Sequence, residues 1–331
     1  MNIAIVRLSA MGDIIQSMVV TQFLKKYVPD IKIDWIVESR FADILSENAD
    51  INQIIPIDIK GLNGQKRLKN IYNLYRHLKS IKEYDIVIDL QGLIKSALVS
   101  RFIRAGQHIG FDKKSIREPI ASLFYSKKFN IPYSENVIIR YIKLINNVFD
   151  ISISNEDILD KKPFFKLSKK NYQYRPKPLI MIVIGASFKS KIYPISGYSE
   201  IINKINATFL VLWKTKSEEK LALKLCNLNP KAKMSPELDL KELKNTISSA
   251  DLLVGGDTGP SHLAWAMNIP SVLIFGSTPK DRNCFTTKQN LAVSSNSGVN
   301  PYKINKNDLS INSIEPKEVI SLIIKILNNN T

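Results

Sequence analysis

Cysteine is nearly absent from this 331-residue chain: only Cys226 and Cys284 occur, far apart and with no His/Cys cluster beside either. That spacing excludes a sequence-local zinc site and a disulfide framework, and it fits a reducing compartment. Apolar runs are also short, none approaching the roughly 20 residues of a membrane-spanning helix. Ile3–Val6 is too brief for the apolar region of a signal peptide, and Arg7 interrupts it. A soluble, cytoplasmic protein is therefore expected. Acids are in deficit, 30 Asp and Glu against 47 Lys and Arg, for a net charge of +17. Such an excess favours an anionic partner: nucleic acid, an acidic membrane surface or a phosphorylated substrate. A Lys-, Asn- and Ile-rich composition typical of an AT-rich genome gives the same total, so the distribution of charge says more than its sum. The hydrophobic content of 44% is ordinary for a globular protein. The length suggests two domains.

What is present is alternation. Apolar runs at 2–8, 32–37, 54–58 and 85–90 read as strands, with helical spacing over 14–27, 40–47, 66–82 and 137–149. Residues 155–178 are polar, contain proline and lack periodicity, and read as an interdomain connection. The pattern then resumes, with strands at 179–185, 208–213, 251–256 and 271–276. Helices are expected at 198–206, 217–227, 240–250 and 316–329. Strands alternating with helices imply parallel sheets covered on both faces. The expected architecture is α/β, two Rossmann-like doubly wound domains facing a central cleft. The boundaries are 1–160, a linker at 161–178, 179–315 and a C-terminal helix at 316–331. Ligands in such sheets bind at the carboxyl ends of the strands.

Two stretches stand at such ends. "IAIVRLSAMGDIIQS" (3–17) has the strand–turn–helix form of a nucleotide-binding unit but no G-x-G-x-x-G, and Asp13 stands where a phosphate would be repelled. An acid in the first turn of a helix is also a stabilising element in its own right. In "VGGDTGPSHLAWA" (254–266) a strand ends in two glycines and Asp257-Thr258-Gly259-Pro260 opens a helix. Thr258 suits the N-cap, Pro260 the first turn, and Gly259 a close backbone approach. The amides of Thr258, Gly259 and Ser261 would then face an anion such as a diphosphate, with His262 as a further donor. An ordinary strand–turn–helix junction with Asp257 as its capping residue fits the same letters.

"DTGPSHLAWAMNIPSVLIFGSTP" (257–279) resembles the D-T-G-x-S-H-L…P…G-x-T-x-P signature of glycosyltransferase family 9, the lipopolysaccharide heptosyltransferases. "RLSAMGDIIQS" is similar to that family's opening motif. "IKIDWIVESRFADI", "DIVIDLQGLIKSA" and "REPIASLFYSKK" look like its heptosyltransferase I branch, and the matches run in order from residue 1 to about 280. The resemblance implies a GT-B fold and inverting transfer of L-glycero-D-manno-heptose from ADP-heptose to the first Kdo of Kdo2–lipid A. It implies no cofactor and no metal, in keeping with the lack of a D-x-D motif. Asp13 matches the family's catalytic aspartate, a base for the acceptor hydroxyl, and Lys191 would meet the leaving diphosphate. The donor set carried over by the resemblance is Ser187, Lys191, Glu218, Leu238, Asp257, Thr258, Gly259 and His262. Ala186 departs from the family, standing where threonine is usual, and Arg7 replaces a common lysine.

The implied acceptor is anionic, and residues 60–82 contain seven Lys or Arg and no acid. Within that stretch Lys60, Lys66 and Arg67 are expected to contact the acceptor, while Arg76, Lys79 and Lys82 suit a solvated helix face. The resemblance implies further acceptor contacts from Arg7, Ser9, Gly12, Lys95, Arg117 and Arg140. The same charge suits an anionic inner-membrane surface, with peripheral association. Three other readings compete. A related heptosyltransferase with another inner-core acceptor is opposed by the REP…SLFY stretch. A basic nucleic-acid-binding protein lacks aromatic–basic interleaving and a recognisable module, so no nucleic acid is expected. An NAD-dependent dehydrogenase lacks the glycine fingerprint.

Overall fold

A computed structural model describes residues 1–59, 67–166 and 178–329. The chain divides into two compact units, Met1–Lys166 and Leu167–Thr331. In the first, strands β1 (Asn2–Val6), β2 (Lys32–Glu38), β3 (Gln53–Ile57), β4 (Tyr84–Asp89), β5 (Ala105–Phe111) and β6 (Lys127–Phe129) form a parallel sheet in the order β3-β2-β1-β4-β5-β6. Its helices are α1 (Met11–Ser17), α2 (Val19–Tyr27), α3 (Ala42–Leu45), α4 (Arg67–Ser80), α5 (Ile94–Phe102), α6 (Val137–Phe149) and α7 (Asn155–Leu159).

The second unit contains β7 (Leu179–Val183), β8 (Thr208–Leu212), β9 (Ala232–Met234), β10 (Leu252–Gly256), β11 (Ser271–Phe275) and β12 (Asn290–Ser294). They pair in parallel in the order β12-β11-β10-β7-β8-β9, the same winding as in the first unit. Around them lie α8 (Ile195–Lys204), α9 (Lys216–Leu228), α10 (Leu240–Ile247), α11 (Gly259–Ala266), α12 (Lys280–Asn283) and α13 (Pro316–Asn329). Among the described residues no helix is long and apolar enough to cross a membrane.

Both faces of each sheet are covered, which is why the central strands read as continuous apolar runs. On β1, Ala4 and Val6 pack with Leu78 of α4 and Val99 of α5, while the alternate residues Ile3 and Ile5 are equally buried on the opposite face. Ile180 and Ile182 of β7 pack with Ile201 and Ile202 of α8. Val319, Ile323 and Ile326 make α13 part of that same core.

Local chemistry accounts for departures from the expected elements. The single helix expected over 14–27 starts earlier, at Met11, and is interrupted at Met18. There the Ser17 hydroxyl donates to Ile14 O (2.8 Å) and Thr21 Oγ1 to Met18 O (2.9 Å), side-chain bonds that compete with the helical ladder. The polar stretch expected to be connection begins instead with α7. Ser154 and Asp157 exchange capping bonds there, and Asp157 pairs with Lys26 at 2.7 Å. Most of the remaining connection, 167–177, lies outside the described residues.

In each sheet the order of connection reverses once, between β1 and β4 and between β7 and β10. A crevice opens at the carboxyl ends of the strands at such a reversal. Asp13 follows β1 at the first, and Lys191 and Asp257 follow β7 and β10 at the second.

Candidate active site

In the second unit β10 ends at Gly256, and a Cβ there would lie 2.6 Å from Lys191 O. Glycine therefore lets the turn after β7 cross β10 closely, bringing Lys191 over the next residue, Asp257. The buried Asp257 carboxylate accepts from Lys191 Nζ (2.9 Å) and Asn283 Nδ2 (3.0 Å) through Oδ2, and meets His262 Nε2 (3.0 Å) through Oδ1. Burial alone would raise its pKa, but the Lys191 charge and the His262 and Lys191 hydrogen bonds outweigh it, holding the carboxyl well below its ordinary range. Lys191 Nζ also lies 5.3 Å from the Phe188 ring centroid. Burial and the negative field of Asp257 push the nearby Cys284 thiol up to about 12, so it stays protonated.

Thr258 has the extended backbone of an N-cap, but its hydroxyl does not cap α11 as expected. It pairs with Ser261 Oγ (3.1 Å), whose own hydrogen goes to Gly256 O (2.7 Å). Among the described residues the amides of Thr258, Gly259 and Ser261 have no acceptor. An anion at this helix start would meet those amides, the helix dipole and an ammonium fixed alongside.

Gly185 follows β7, and a Cβ on it would overlap the Glu218 carboxylate. Glu218 Oε2 accepts from Lys214 N (2.7 Å) and Thr215 N (3.0 Å), so Glu218 serves the capping box of α9 as well as lying over the turn. Its neighbour Glu219 pairs instead with the exposed Lys216. Leu238 O accepts from Lys214 Nζ (3.0 Å), and Trp213 Nε1 donates to Ser235 O (2.8 Å), fixing the 235–238 segment. Ser187 is exposed on the turn after β7.

In the first unit Asp13 is the third residue of α1. Its Oδ2 accepts from Ala10 N (3.3 Å) and its Oδ1 pairs with Arg7 Nη2 (2.9 Å), leaving the side chain 42% exposed. Asp13 thus caps its own helix and still presents a carboxylate edge to solvent. Arg7 does not stand open to an acceptor as expected: it is buried, its other nitrogen donates to Leu90 O (2.8 Å), and it lies 5.7 Å from the Tyr141 ring centroid. Burial opposes its charge, but Tyr141, Asp13 and Asp89 together raise its pKa. Arg140 needs the same correction. Its guanidinium is buried, donates to Ser115 O (2.6 Å) and stacks on Phe111 and Tyr133, so it holds the 111–133 segment together.

Ser9 and Lys95 come together beside Asp13, Lys95 Nζ lying 3.4 Å from Ser9 Oγ, and Gly12 is in the first turn of α1. Arg117 is exposed. Arg67 opens α4, whereas Lys60 and Lys66 lie outside the described residues.

Sequence reasoning missed Asp89, Gln91 and Asn283. Asp89 ends β4 and accepts from Gln91 N (2.7 Å), Gly92 N (3.2 Å), Ser96 Oγ (2.8 Å) and Tyr125 OH (2.7 Å). Gln91 Oε1 in turn accepts from Leu8 N (2.8 Å) and Ser9 N (3.3 Å), shaping the approach to Asp13. The signal was available in "DLQG", an acid closing a strand before a glycine turn, as in "GGDTG". Asn283 carried no comparable mark.

Comparison with known proteins follows the same outline. The profile of glycosyltransferase family 9 (heptosyltransferase) matches residues 71–310. A lipopolysaccharide heptosyltransferase 1 from Campylobacter coli is 36% identical over 98% of both chains. The enzyme of that name from Salmonella typhimurium is 29% identical over 88% of this chain and 96% of its own. Among solved structures, the E. coli heptosyltransferase WaaC with ADP superposes with a TM-score of 0.80 at 24% identity, covering 98% of this chain and all of that one. E. coli ADP-heptose heptosyltransferase II reaches 0.71 at 19% identity over the whole of both chains. At these identities the solved structures speak for the fold.

Proposed function

The chain belongs to glycosyltransferase family 9 and is a glycosyltransferase, and from that premise we propose that it moves L-glycero-D-manno-heptose from ADP-heptose to the first Kdo of Kdo2–lipid A, with inversion. The observation that carries the reading is the Asp257–Lys191 pair beside the unsatisfied amides of Thr258, Gly259 and Ser261. A sugar diphosphate leaves as a more highly charged nucleoside diphosphate, and fixed donors that strengthen as this charge grows lower the barrier. Asp257 and His262 position; Lys191 and the amides receive the charge. Ser187 donates to the same diphosphate, while Glu218 and the backbone at Leu238 recognise ribose and adenine.

On the acceptor side Asp13 is the base. Its partly exposed carboxylate takes the proton of the attacking Kdo hydroxyl as that oxygen bonds to the anomeric carbon and the bond to the diphosphate oxygen breaks. A single displacement inverts the centre and needs no second carboxylate as nucleophile. Arg7 and Gln91 hold Asp13 and its turn, and Lys95 and Arg117 offer cations to the Kdo carboxylate or lipid A phosphates. The net charge and this acceptor together favour work at an anionic membrane surface. Purified protein with ADP-heptose and Kdo2–lipid A should release ADP and yield heptosylated product. Absence of release across detergents and salt concentrations refutes the assignment.

A further inference from the structure

Among the described residues the most exposed large aliphatic side chain is Leu123, at 75%, and Ile120 is exposed to 59%. Both belong to a 3₁₀ turn, Pro119–Phe124, in the first unit. Three residues complete a 3₁₀ turn, so Ile120 and Leu123 stack on the same side. The opposite side is anchored. Ala121 and Ser122 are buried, and Ser122 Oγ donates to Pro119 O (2.8 Å). Tyr125, which follows, is fixed to Asp89 through its hydroxyl. The pair is therefore held outward by a well-packed base.

Cations flank it in sequence. Lys113, Lys114, Arg117, Lys127 and Lys128 are all exposed within sixteen sequence positions. Lys128 Nζ lies 3.4 Å from Ser122 O, directly beside the turn. The two acids of the stretch are occupied. Asp112 accepts from Lys114 N, Ser115 Oγ and Asn130 Nδ2, and Glu118 from Ile94 N (2.7 Å). An aliphatic tip with a cationic rim matches a bilayer whose headgroups are anionic and whose interior is apolar. Nucleic acid would use the cations but gain nothing from two aliphatic side chains.

We propose that Pro119–Phe124 is a membrane-docking tip, placing Ile120 and Leu123 among the acyl chains of an anionic bilayer while the neighbouring lysines meet its headgroups. This deepens the reading of a lipid-linked acceptor and rests on it for its purpose, but its test is independent of turnover. Full-length protein is sedimented with vesicles of phosphatidylethanolamine and phosphatidylglycerol, and with vesicles of phosphatidylcholine alone. The wild type should partition onto the anionic vesicles. Ile120→Ser/Leu123→Ser should lose about tenfold or more in partitioning. Lys127→Gln/Lys128→Gln should lose about fivefold per charge, with the difference disappearing at high salt.

Both variants should keep the wild-type unfolding midpoint, and the Ser pair should keep wild-type turnover on a water-soluble, deacylated acceptor. Undiminished vesicle binding by the Ser pair overturns the proposal. So does a wild-type dimer that the Ser pair converts to monomer with no change on vesicles, since the face would then cover a second copy. Failure of the wild type to turn over the soluble acceptor counts against the enzymatic assignment and leaves the vesicle result standing.

Discussion

Asp257→Asn removes a charge but almost no volume from a buried network. In the wild type the Lys191 and Asp257 side chains are 13% and 7% exposed, with 2.9 Å between Nζ and Oδ2. At an effective dielectric of about 20, the gross attraction over that distance is about 6 kcal/mol. Desolvation of both ions offsets much of it, so the pair adds little relative to an apolar alternative, whereas stranding one member costs about 3–5 kcal/mol. Asparagine keeps one acceptor oxygen but turns an NH2 toward donors, leaving the Lys191 ammonium without its counter-charge. For a unit of this size, that loss lowers the unfolding midpoint by roughly 10 °C.

Lys191→Met strands the carboxylate instead and should cost a similar amount. The double variant strands neither ion, so it should be more stable than the sum of the single losses predicts, by about 3 kcal/mol. Calorimetry or urea unfolding of the full chain reads all three. Additive losses, or single losses below about 1 kcal/mol, would refute the coupling. ADP affinity adds a test of sign. Electrostatics alone makes Asp257→Asn bind ADP more tightly, because a negative charge is gone. If Asp257 serves to order Lys191 before the donor arrives, sparing up to about 2 kcal/mol of side-chain entropy, the variant binds ADP more weakly. Tighter binding would show that ordering is not what Asp257 supplies.

Three further outcomes follow from the same structure. Asp13→Asn should lower kcat by about 10²–10⁴-fold while the Kd for ADP-heptose, measured calorimetrically, stays within about threefold; retained turnover would confine Asp13 to capping α1. Gly256→Ala places a methyl 2.6 Å from Lys191 O, so it should displace the turn, cost about 1–3 kcal/mol and slow turnover, both read on the purified variant. Burial, opposed by Tyr125, Ser96 and two amides, raises the Asp89 carboxyl above its ordinary 3.8. Between that value and the raised one the folded state binds more protons than the unfolded state, so this group's contribution to stability falls as pH rises. Unfolding curves of Asp89→Asn should lack that slope, and a slope equal to the wild type's would contradict the assignment.

The parts of the fold legible in sequence are those whose two neighbours are already dictated by burial. "LIMIV" and "SVLIF" are covered on both faces and could be little else. β5, "AGQHIGF", was not legible, because its two glycines and exposed first half break the apolar run, and three-residue β6 and β9 carry no period at all. Strand order was equally hidden, since parallel strands advertise burial and not partners. The site divides the same way. Asp13, Asp257 and His262 stand at turns that sequence marks, but the pairing of Asp257 with Lys191 joins residues on different strand ends. Arg140 was expected at the acceptor from its match to a family position, and nothing in the letters reports that Phe111 and Tyr133 enclose its guanidinium.

The shared winding explains why two buried acids recur. Asp89 closes β4 and Asp257 follows β10, and each of those strands is the fourth of its unit, beside the point where connection order reverses. The position is equivalent and the surroundings are opposite. The oxygens of Asp89 are met by hydroxyls and amides rather than by a directly paired cation, so burial dominates and its pKa rises. Asp257 is met by an ammonium, and its pKa falls. A carboxyl of the first kind ties loops together, here Gln91, Ser96 and Tyr125 around the approach to Asp13. One of the second kind holds a cation in place beside free helix amides. Sheet topology delivers an acid to the strand end in both units; the partner brought in by the neighbouring loop decides whether that acid shapes the backbone or arms a binding site.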